Sequence, residues 1–512
     1  MNEALFATLH NGQAVPLAQV PEADPAEFRA AVLGAVRSGR RLACLCADRD
    51  LNLYAVLAAD GEGRLLAGRT RLDRPRYPAL TPECPQAHLF ERELAEQFGI
   101  VPTGHPWFKP VRYHPCYVEG RDAWGRDGVP EPAVTDFYQV KGEEVHEVAV
   151  GPVHAGVIEP GHFRFQCHGE TVFHLEIALG YQHRGVERAL EGGPHPLSLK
   201  QAETAAGDST AAHGWAHCRV LEGLAGLAVP ARADRVRGIA LELERVANHV
   251  GDLGALAGDV GFLPTASFCG RIRGDWLNLT AEACGSRLGR DWLCPGGLRF
   301  DLDARRAQAM AARLERVWAD TRDAVELLWG ASSVMNRFEA AGAVDPIQAR
   351  EVGLVGVAAR ACGIDQDVRR DHPFGPYARH PVAPALARPG DGQEAAGNVH
   401  SRAWVRWLEL EESHRSLRAA LESLAQGEPD PRPGPLPPLA PDHLCVSLVE
   451  GWRGEVLHLA VTGAQGRFRR YKIVDPSFHN WFGLALALRG EQISDFPLCN
   501  KSFNLSYCGH DL

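Results

Sequence analysis

The sequence predicts an α+β protein, in which an α/β domain is followed by a mainly helical domain with a small C-terminal β region. Strand-like and helix-like segments alternate over the first ~115 residues, and helical periodicity dominates up to about residue 425. Short apolar runs joined by Gly-containing turns follow. We place the domains at residues 1–117 and 146–512. Residues 118–145, rich in Gly, Pro and charge, are predicted to be a linker.

In the first domain, residues 41–47 and 51–58 have the length and composition of strands. Residues 83–97 carry apolar side chains on one face of a helix. Gly99 follows this helix closely, and glycine commonly ends helices. These segments predict a compact α/β unit.

In the second domain, apolar residues recur at helical spacing in three long segments, residues 234–250, 303–329 and 402–424. Asp234 is predicted to cap the first of these helices. Residues 375–397 interrupt the helical pattern.

The proline-rich residues 426–438 interrupt it again and must be extended, since proline removes a helix donor and restricts the preceding residue. Beyond them we predict three strands and then a helix, at residues 443–449, 455–461, 467–474 and 476–488.

The composition is that of an ordinary globular protein, with 45% hydrophobic and 23% charged residues. A net charge of -10 gives no reason to expect nucleic acid as a partner. The sequence has neither a bilayer-spanning apolar run nor a basic and then apolar start typical of a secretory signal. We therefore expect a cytoplasmic location.

The thirteen cysteines are scattered, and no two stand in Cys-x-x-Cys spacing. In a large cytoplasmic chain, such cysteines are mostly small buried hydrophobic residues. We therefore expect this chain by itself to bind no iron–sulfur cluster and no zinc ion.

A motif of three parts lies near the end of the first domain. Glu91-Arg92-Glu93 begins it, Phe98-Gly99 follows, and Gly104-His105-Pro106 completes it. In this order and spacing, the motif resembles the 30 kDa subunit of respiratory complex I. The resemblance implies that the first domain has the fold of that subunit.

The second domain carries a longer series of motifs. They are Gly151-Pro152-Val-His154, Tyr181-Gln-His183-Arg184-Gly185, Gly214-Trp-Ala-His217, Glu244-Arg245-Val-Ala-Asn-His249, Asp371-His372-Pro373-Phe374 and Asn480-Trp481. This series resembles the 49 kDa subunit of complex I and, more closely, the large subunit of group 4 membrane-bound nickel–iron hydrogenases. Fusion of the two modules in one chain is typical of large subunits of the formate hydrogenlyase type.

The chain departs from the hydrogenase pattern at the four cysteines that hold the metal in that family. Thr210 and His213 stand at the first pair of positions, and Ser506 and Gly509 at the second, with Cys508 one position away. Such residues are poor substitutes for the thiolates of a nickel–iron centre. We therefore expect the frame of a redox enzyme without its metal, and we assign no metal ligand.

Complex I also lacks these cysteines and uses the vacated space as a quinone pocket. Like complex I, this chain has a His at position 213, but Ala211 stands where complex I has the Tyr that binds the quinone headgroup. Glu159, in contrast, matches the proton-transferring Glu of the hydrogenases. The resemblance leaves a quinone as a candidate ligand.

Glu159 and His213 are the candidate catalytic residues. Glu159 lies in a Gly/Pro turn beside apolar sequence, where desolvation raises the pKa of a carboxyl group and allows it to carry protons. The alternative is a turn carboxylate that caps backbone amides. His213 would contact a quinone-like acceptor or be a core His with satisfied hydrogen bonds. His217 shares its helix face and is expected to be structural.

Four residues are candidates for lining the vacated metal or quinone cavity: His154, Thr210, Asp371 and Ser506. For Asp371, which precedes His372 and a Pro turn, a cap is an equal alternative. The resemblance further implies that Glu159, His213 and Ser506 converge in one pocket beneath the docking face of an iron–sulfur partner.

Several charged residues allow two interpretations. Arg184, Glu187 and Arg245 lie in largely apolar contexts. Because a buried Arg needs a partner, ion pairs that hold helices together are one interpretation, and a charged relay towards membrane partners is the other. Glu91 and Glu93 are expected to be structural or to lie at an interface.

The resemblance implies a peripheral-arm subunit of a membrane-bound complex I-like oxidoreductase, on the cytoplasmic side of the inner membrane. A [4Fe–4S] cluster in an iron–sulfur small subunit would pass electrons to a quinone-like acceptor, or redox change would drive ion pumping by antiporter-like membrane subunits. Nucleotides would bind to other subunits, since no Gly-x-Gly-x-x-Gly follows a strand here. An active hydrogenase with altered ligands and a non-redox structural subunit remain the alternatives.

Overall fold

The structure is a computed structural model that describes residues 3–126, 128–154, 158–387, 397–424 and 432–512. Parts of the linker, of the Gly151 motif and of the two segments that interrupt the helical pattern lie outside the described residues.

A five-stranded sheet forms the centre of the first domain. The helices and strands of this domain are β1 (Ala7–Leu9), β2 (Ala14–Pro16), β3 (Glu22–Ala23), α1 (Pro25–Arg37), β4 (Arg41–Ala47), β5 (Asn52–Ala59), β6 (Arg64–Arg71), β7 (Arg76–Pro78), α2 (His88–Phe98) and β8 (Val101–Thr103). The sheet has the order β1–β6–β5–β4, and β3 pairs in parallel with β6. Helix α1 packs against β4, β5 and β6.

The two strands predicted in this domain are confirmed as β4 and β5. Helix α2 begins at His88, later than the predicted residue 83, because the preceding turn, Pro85–Ala87, is a 3-10 helix. It ends as predicted at Gly99, whose φ of 67° lies in the left-handed region that glycine adopts readily.

A three-stranded antiparallel sheet opens the second domain, in the order β11–β10–β9. Its strands are β9 (Val145–Val150), β10 (His162–His168) and β11 (Thr171–Ala178). The expectation of mainly helix from residue 146 onward is therefore wrong for these three strands. Polar pairs support them, since Glu147 accepts hydrogen bonds from Arg164 and Gln166 on the neighbouring strand. Apolar periodicity does not reveal such pairs.

Helices form the bulk of the second domain. They are α3 (Val186–Leu190), α4 (Ser198–Glu203), α5 (Thr210–Ala225), α6 (Ala231–Asp259), α7 (Leu263–Cys284), α8 (Ala304–Trp329), α9 (Ser332–Glu339), α10 (Pro346–Glu351), α11 (Gly356–Ala361), α12 (Val368–Asp371), α13 (Val399–Glu422), α14 (Pro476–Ala487), α15 (Phe496–Phe503) and α16 (Tyr507–Asp511). Helix α6 packs against α7 and α13, and α8 packs against α7 and α13.

The three long predicted helices are confirmed as α6, α8 and α13, but the predicted cap of α6 is wrong. Helix α6 begins after Pro230, and the Asp234 N–H donates to the Pro230 carbonyl within the helix, at 3.1 Å. Asp303 does cap α8, because its side chain accepts from the Arg306 N–H at 2.8 Å.

The C-terminal β region joins the two domains. β12 (Leu293–Cys294) and β13 (Gly297–Leu298) pair as a separate two-stranded sheet, and the strands of the C-terminal region are β14 (His443–Glu450), β15 (Glu455–Thr462) and β16 (Phe468–Val474). The last three confirm the predicted strands, and β2 of the first domain adds to them in the order β16–β15–β14–β2. Helix α5 packs on β14 and β15, which brings the start of α5 close to the end of β16.

Buried charges also connect the domains. Lys472 Nζ on β16 lies 2.8 Å from Glu93 Oε1 of α2 and 2.8 Å from Glu187 Oε1 of α3. Glu187 pairs in addition with Arg470 Nη2, at 2.8 Å. Glu91 instead binds within its own domain, where it accepts a 2.8 Å hydrogen bond from the Tyr77 hydroxyl.

Within the described ranges, no helix combines the length and the apolar character needed to cross a lipid bilayer.

Candidate functional site

The start of helix α5 positions His213. Ser209 occupies the cap position without a side-chain cap hydrogen bond. Glu244 of α6 takes this role, because its carboxylate accepts from the Ala211 N–H at 2.6 Å and from the Ala212 N–H at 3.3 Å. The first turn is thereby fixed against α6, and His213 points towards strand β15 and the start of α14.

His213 is fully buried, and both of its ring nitrogens have partners. Nε2 lies 3.0 Å from Asp475 Oδ2, and Nδ1 lies 3.1 Å from His458 Nε2. No ring nitrogen is left for a quinone carbonyl. These contacts fit the second interpretation of His213, a core histidine whose hydrogen bonds are satisfied.

Asp475 precedes α14 and is held on both sides. Its Oδ1 accepts from the Ser477 N–H at 2.7 Å, which caps the helix. Burial by itself raises the pKa of Asp475, but the hydrogen bond with His213 and the positive charge of Arg453 outweigh burial and hold the pKa below its ordinary value. The carboxylate is therefore ionised at neutral pH.

The hydrogen bonds continue from His213 into the sheet. His458 Nδ1 lies 2.8 Å from the Tyr471 hydroxyl, and His217 Nδ1 lies 2.7 Å from the same hydroxyl. Burial lowers the pKa of His217 to about 3 and lowers that of His458 well below its ordinary value. Both imidazoles are therefore neutral at physiological pH.

The C-terminal segment closes over Asp475. Ser506 caps α16, since its Oγ accepts from the Gly509 N–H at 2.9 Å, and the Ser506 N–H donates to Ser477 Oγ at 2.9 Å. Gly509 packs directly on the carboxylate of Asp475. A Cβ at position 509 would lie 2.7 Å from Asp475 Cγ and Oδ2.

Glu159 reaches this segment from the other side. Glu159 is half-buried, and its Oε1 accepts from the Cys508 N–H at 3.3 Å. The Cys508 Sγ lies 3.3 Å from Ser506 Oγ. Hydrogen bonds therefore join the Glu159 turn to the C-terminal segment, and Ser477 joins that segment to the Asp475 cap that His213 binds. Whether Glu159 transfers protons or only caps this amide stays a prediction.

The other candidate residues are more dispersed. His154 Nε2 lies 3.1 Å from the Gly161 carbonyl oxygen of its own turn. Thr210 is buried at the start of α5 and donates to the Gly207 carbonyl at 3.4 Å. Asp371 accepts from the Asp367 N–H at 2.9 Å and from Arg370 Nε at 2.6 Å. Its described hydrogen bonds do not reach His213 or Ser506, and its place in a shared cavity stays a prediction.

Two of the predicted arginines differ in their partners. Arg245 forms ion pairs with Glu242 at 3.1 Å and with Glu409 at 3.2 Å, so it links α6 to α13. Arg184 has no carboxylate among its described hydrogen-bond partners. It donates to the carbonyl oxygens of Ala205 at 2.8 Å and Cys508 at 3.1 Å. The ion-pair interpretation therefore describes Arg245, whereas carbonyl groups bind the guanidinium of Arg184.

A small cavity adjoins the start of α5. Its volume is ≈ 10 Å³, room for about one water molecule, and it is lined by Asp208, Ala211, Glu244 and Asn248. Burial raises the pKa of Glu244 to about 8, against the effect of its two backbone hydrogen bonds. Glu244 is therefore a carboxyl group near the site that holds a proton at neutral pH, a role that its place in the Glu244-Arg245 motif did not predict.

The residues at the four cysteine positions do not fit a nickel–iron centre. They supply one hydroxyl each from Thr210 and Ser506, an imidazole engaged by Asp475 and His458, and no side chain at Gly509. In the described part of the chain, no group of three or more His, Cys, Asp or Glu side chains is arranged to hold a metal ion.

Comparisons with known proteins agree with this architecture. Residues 27–121 match the family of the respiratory-chain NADH dehydrogenase 30 kDa subunit, and residues 259–433 match that of the 49 kDa subunit. The carbon monoxide-induced hydrogenase of Rhodospirillum rubrum is 30% identical over 360 residues, which are 70% of this chain and 97% of that protein. The chain belongs to this family of complex I 49 kDa subunits and membrane-bound hydrogenase subunits.

Two further relatives illustrate the breadth of the family. Formate hydrogenlyase subunit 5 of Escherichia coli is 28% identical over 491 residues, 90% of this chain and 82% of that protein. NADH-quinone oxidoreductase subunit 4 of Thermus thermophilus is 29% identical over 379 residues, 69% of this chain and 90% of that protein. This complex I-type subunit is thus related both to NADH-quinone oxidoreductase subunits and to membrane-bound hydrogenase subunits.

Sequence reasoning missed Asp475, His458 and Tyr471 in this family member. The only signal for Asp475 was local, an Asp before Pro476 at the start of a predicted helix. His458 and Tyr471 lie in strands that were predicted from their apolar neighbours. Their role as partners of α5 became visible only when the sheet was packed against that helix.

Proposed function

We propose that this protein is a peripheral-arm subunit of a membrane-bound complex I-like oxidoreductase, in which it transfers protons and couples redox change to ion transport without a nickel–iron centre. The observation that carries the proposal is the contact between Gly509 and Asp475. The carboxylate of Asp475, which is bonded to His213 and caps α14, fills the space next to Gly509, the position of the fourth cysteine in the hydrogenase pattern.

The contacts of His213 favour coupling over quinone reduction by this chain. Both of its ring nitrogens are engaged, and Ala211 offers no hydroxyl at the position of the complex I Tyr. A quinone headgroup needs hydrogen-bond donors for its carbonyl oxygens. Binding at His213 would first have to break its bond to Asp475 or to His458.

The partners that we propose follow from the relatives, which are named as subunits of a formate hydrogenlyase, a membrane-bound hydrogenase and an NADH-quinone oxidoreductase. We propose that a small subunit with a [4Fe–4S] cluster docks near Glu159 and Cys508, and that antiporter-like membrane subunits transport the ion. The chain would then lie on the cytoplasmic side of the membrane, held there by these partners.

The test uses the assembled complex, purified through a tag on this chain and reconstituted into vesicles. The substitution Glu159→Gln keeps the shape of the side chain and its acceptor oxygen but removes the carboxyl group that can gain and lose a proton. Ion transport driven by the electron donor should fall by about tenfold or more, as for the loss of a positioned proton-transfer group. Glu170→Gln is the matched control, because Glu170 is exposed in the turn between β10 and β11.

Unchanged transport in the Glu159→Gln complex would overturn the proton-transfer role. If the Glu159→Gln complex assembles and keeps both its redox activity and its ion transport, the structural-subunit alternative is favoured. Nickel together with hydrogen uptake in the purified complex would instead establish the altered-ligand hydrogenase.

A further inference from the structure

A continuous series of hydrogen bonds crosses the interior from α14 to the middle of α5. It connects five fully buried side chains, which are Asp475, His213, His458, Tyr471 and His217. The successive separations are 3.0, 3.1, 2.8 and 2.7 Å, all within hydrogen-bond range. We refer to these five residues as the buried array.

The protons of the buried array can be assigned from the number of donors. The Tyr471 hydroxyl has one proton and can donate to only one of its two histidine neighbours. If it donates to His458 Nδ1, then His458 carries its own proton on Nε2 and donates to His213 Nδ1. His213 in turn donates from Nε2 to the Asp475 carboxylate, and every one of these bonds is made.

At the other end, His217 must then donate from Nδ1 to the Tyr471 oxygen. Its Nε2 consequently carries no proton in the neutral ring. This nitrogen is buried and has no hydrogen-bond partner among the described residues. A buried acceptor without a partner is costly, and it is also a place where a proton can be added.

A second arrangement satisfies the same bonds in the opposite direction. A proton added at His217 Nε2 releases the Nδ1 proton to Tyr471, which passes its own proton to His458 Nδ1. His458 gives its Nε2 proton to His213 Nδ1, and His213 gives its Nε2 proton to Asp475. Each imidazole and the phenol are neutral again, and Asp475 has gained the proton.

We propose that the buried array is a proton relay that moves one proton between His217 Nε2 and the Asp475 carboxylate by a concerted shift of its hydrogen bonds. The relay goes beyond the proposed function, since it assigns a transfer route to residues other than Glu159.

The surroundings suit such a shift. Phe468 and Val220 belong to the same apolar cluster as Tyr471, so water is kept from competing for its hydroxyl. Among the described residues, the charged side chain of Glu187 acts on His458 and that of Arg453 acts on Asp475. Neither forms a hydrogen bond with a histidine of the buried array. Cys218 and Cys445 lie near Tyr471, and burial raises the pKa of both thiols, so they stay neutral.

The test measures the protonation of individual ring nitrogens in the full-length chain. The protein is labelled with ¹⁵N in histidine, and the three signals are assigned with the single substitutions His213→Gln, His217→Gln and His458→Gln. At neutral pH, we expect the proton on Nδ1 of His217 and on Nε2 of both His213 and His458. As the pH is lowered, all three rings should change tautomer at one common midpoint.

Tyr471→Phe should break the link, so that His217 titrates at a midpoint different from that of His213. Tyr77→Phe is the control, because Tyr77 is also buried but bonds to Glu91 in the first domain. Its three histidine signals should match those of the wild type.

Three results would overturn the relay: a different tautomer pattern at neutral pH, separate midpoints in the wild-type chain, or no tautomer change while the chain remains folded. The wild-type titration is decisive by itself if Tyr471→Phe fails to fold. Because the measurement uses the isolated chain, failure of the relay is distinguishable from failure of the coupling function, which is tested in the membrane complex.

Discussion

Replacing Gly509 by Ala tests the packing at the former cysteine position most directly. The new Cβ would lie 2.7 Å from Cγ and Oδ2 of Asp475 and 2.9 Å from Oδ1. Asp475 cannot move aside without loosening its bonds to Ser477 and His213. The backbone at Gly509 is not in the left-handed region, so the strain would come from this contact alone.

The expected magnitude follows from two effects. Inserting a methyl group into a packed interior destabilises a protein by about 1–3 kcal/mol. Loosening a hydrogen bond to a charged group adds about 1.5–3 kcal/mol. We therefore expect Gly509→Ala to lower the free energy of unfolding by roughly 1–6 kcal/mol, from the smallest single effect to the sum of both.

The assay is urea unfolding of the full-length chain. The free energies of unfolding of variant and wild type are compared with the same m-value, which is the dependence of that free energy on urea concentration. Gly270→Ala is the matched control, because Gly270 is exposed within α7 and its added Cβ meets no atom within 4 Å. This control should be stabilised by about 0.5–1 kcal/mol, as expected for Gly to Ala in a helix. Asp475→Ala should remove most of the additional effect of Gly509→Ala in the double variant. If Gly509→Ala unfolds at the same urea concentration as the wild type, Asp475 does not occupy this position.

Three further predictions concern the buried charges and the metal. Lys472→Met leaves Glu93 and Glu187 without their shared cation, so the free energy of unfolding should fall by about 3–5 kcal/mol. Arg418→Ala, which removes an exposed ion pair, is the control and should leave the urea midpoint unchanged. The pKa of Glu244 is about 8 in the folded chain, above the value of about 4.3 expected in the unfolded chain. The stability that the protonated Glu244 contributes is therefore fully present below about pH 4.3 and is lost as the pH rises towards 8. The urea midpoint of the wild type should therefore fall relative to that of Glu244→Gln between about pH 5 and pH 8, and parallel midpoints would contradict this. Elemental analysis of the purified chain should find no stoichiometric nickel, and about one nickel per chain would refute the assignment of the four positions.

Local chemistry determined much of the fold. Asp303 marks the start of α8, and Gly99 marks the end of α2, because capping depends on residues within one turn of the helix. Apolar periodicity located the three long helices and the C-terminal strands for the same reason, since each pattern repeats within its own element. The sequence also determined the missing thiolates, which can be read directly at Thr210, His213, Ser506 and Gly509.

Only the tertiary structure decided which groups occupy the former metal position. His213 and Asp475 are separated by 262 residues, and no local pattern relates them. The pairing of β2 with β14 likewise depends on a free strand edge that is created when the second domain folds. Partners so distant in sequence are selected by how helices and sheets pack and by the need to satisfy buried polar groups, and both conditions exist only in the folded chain.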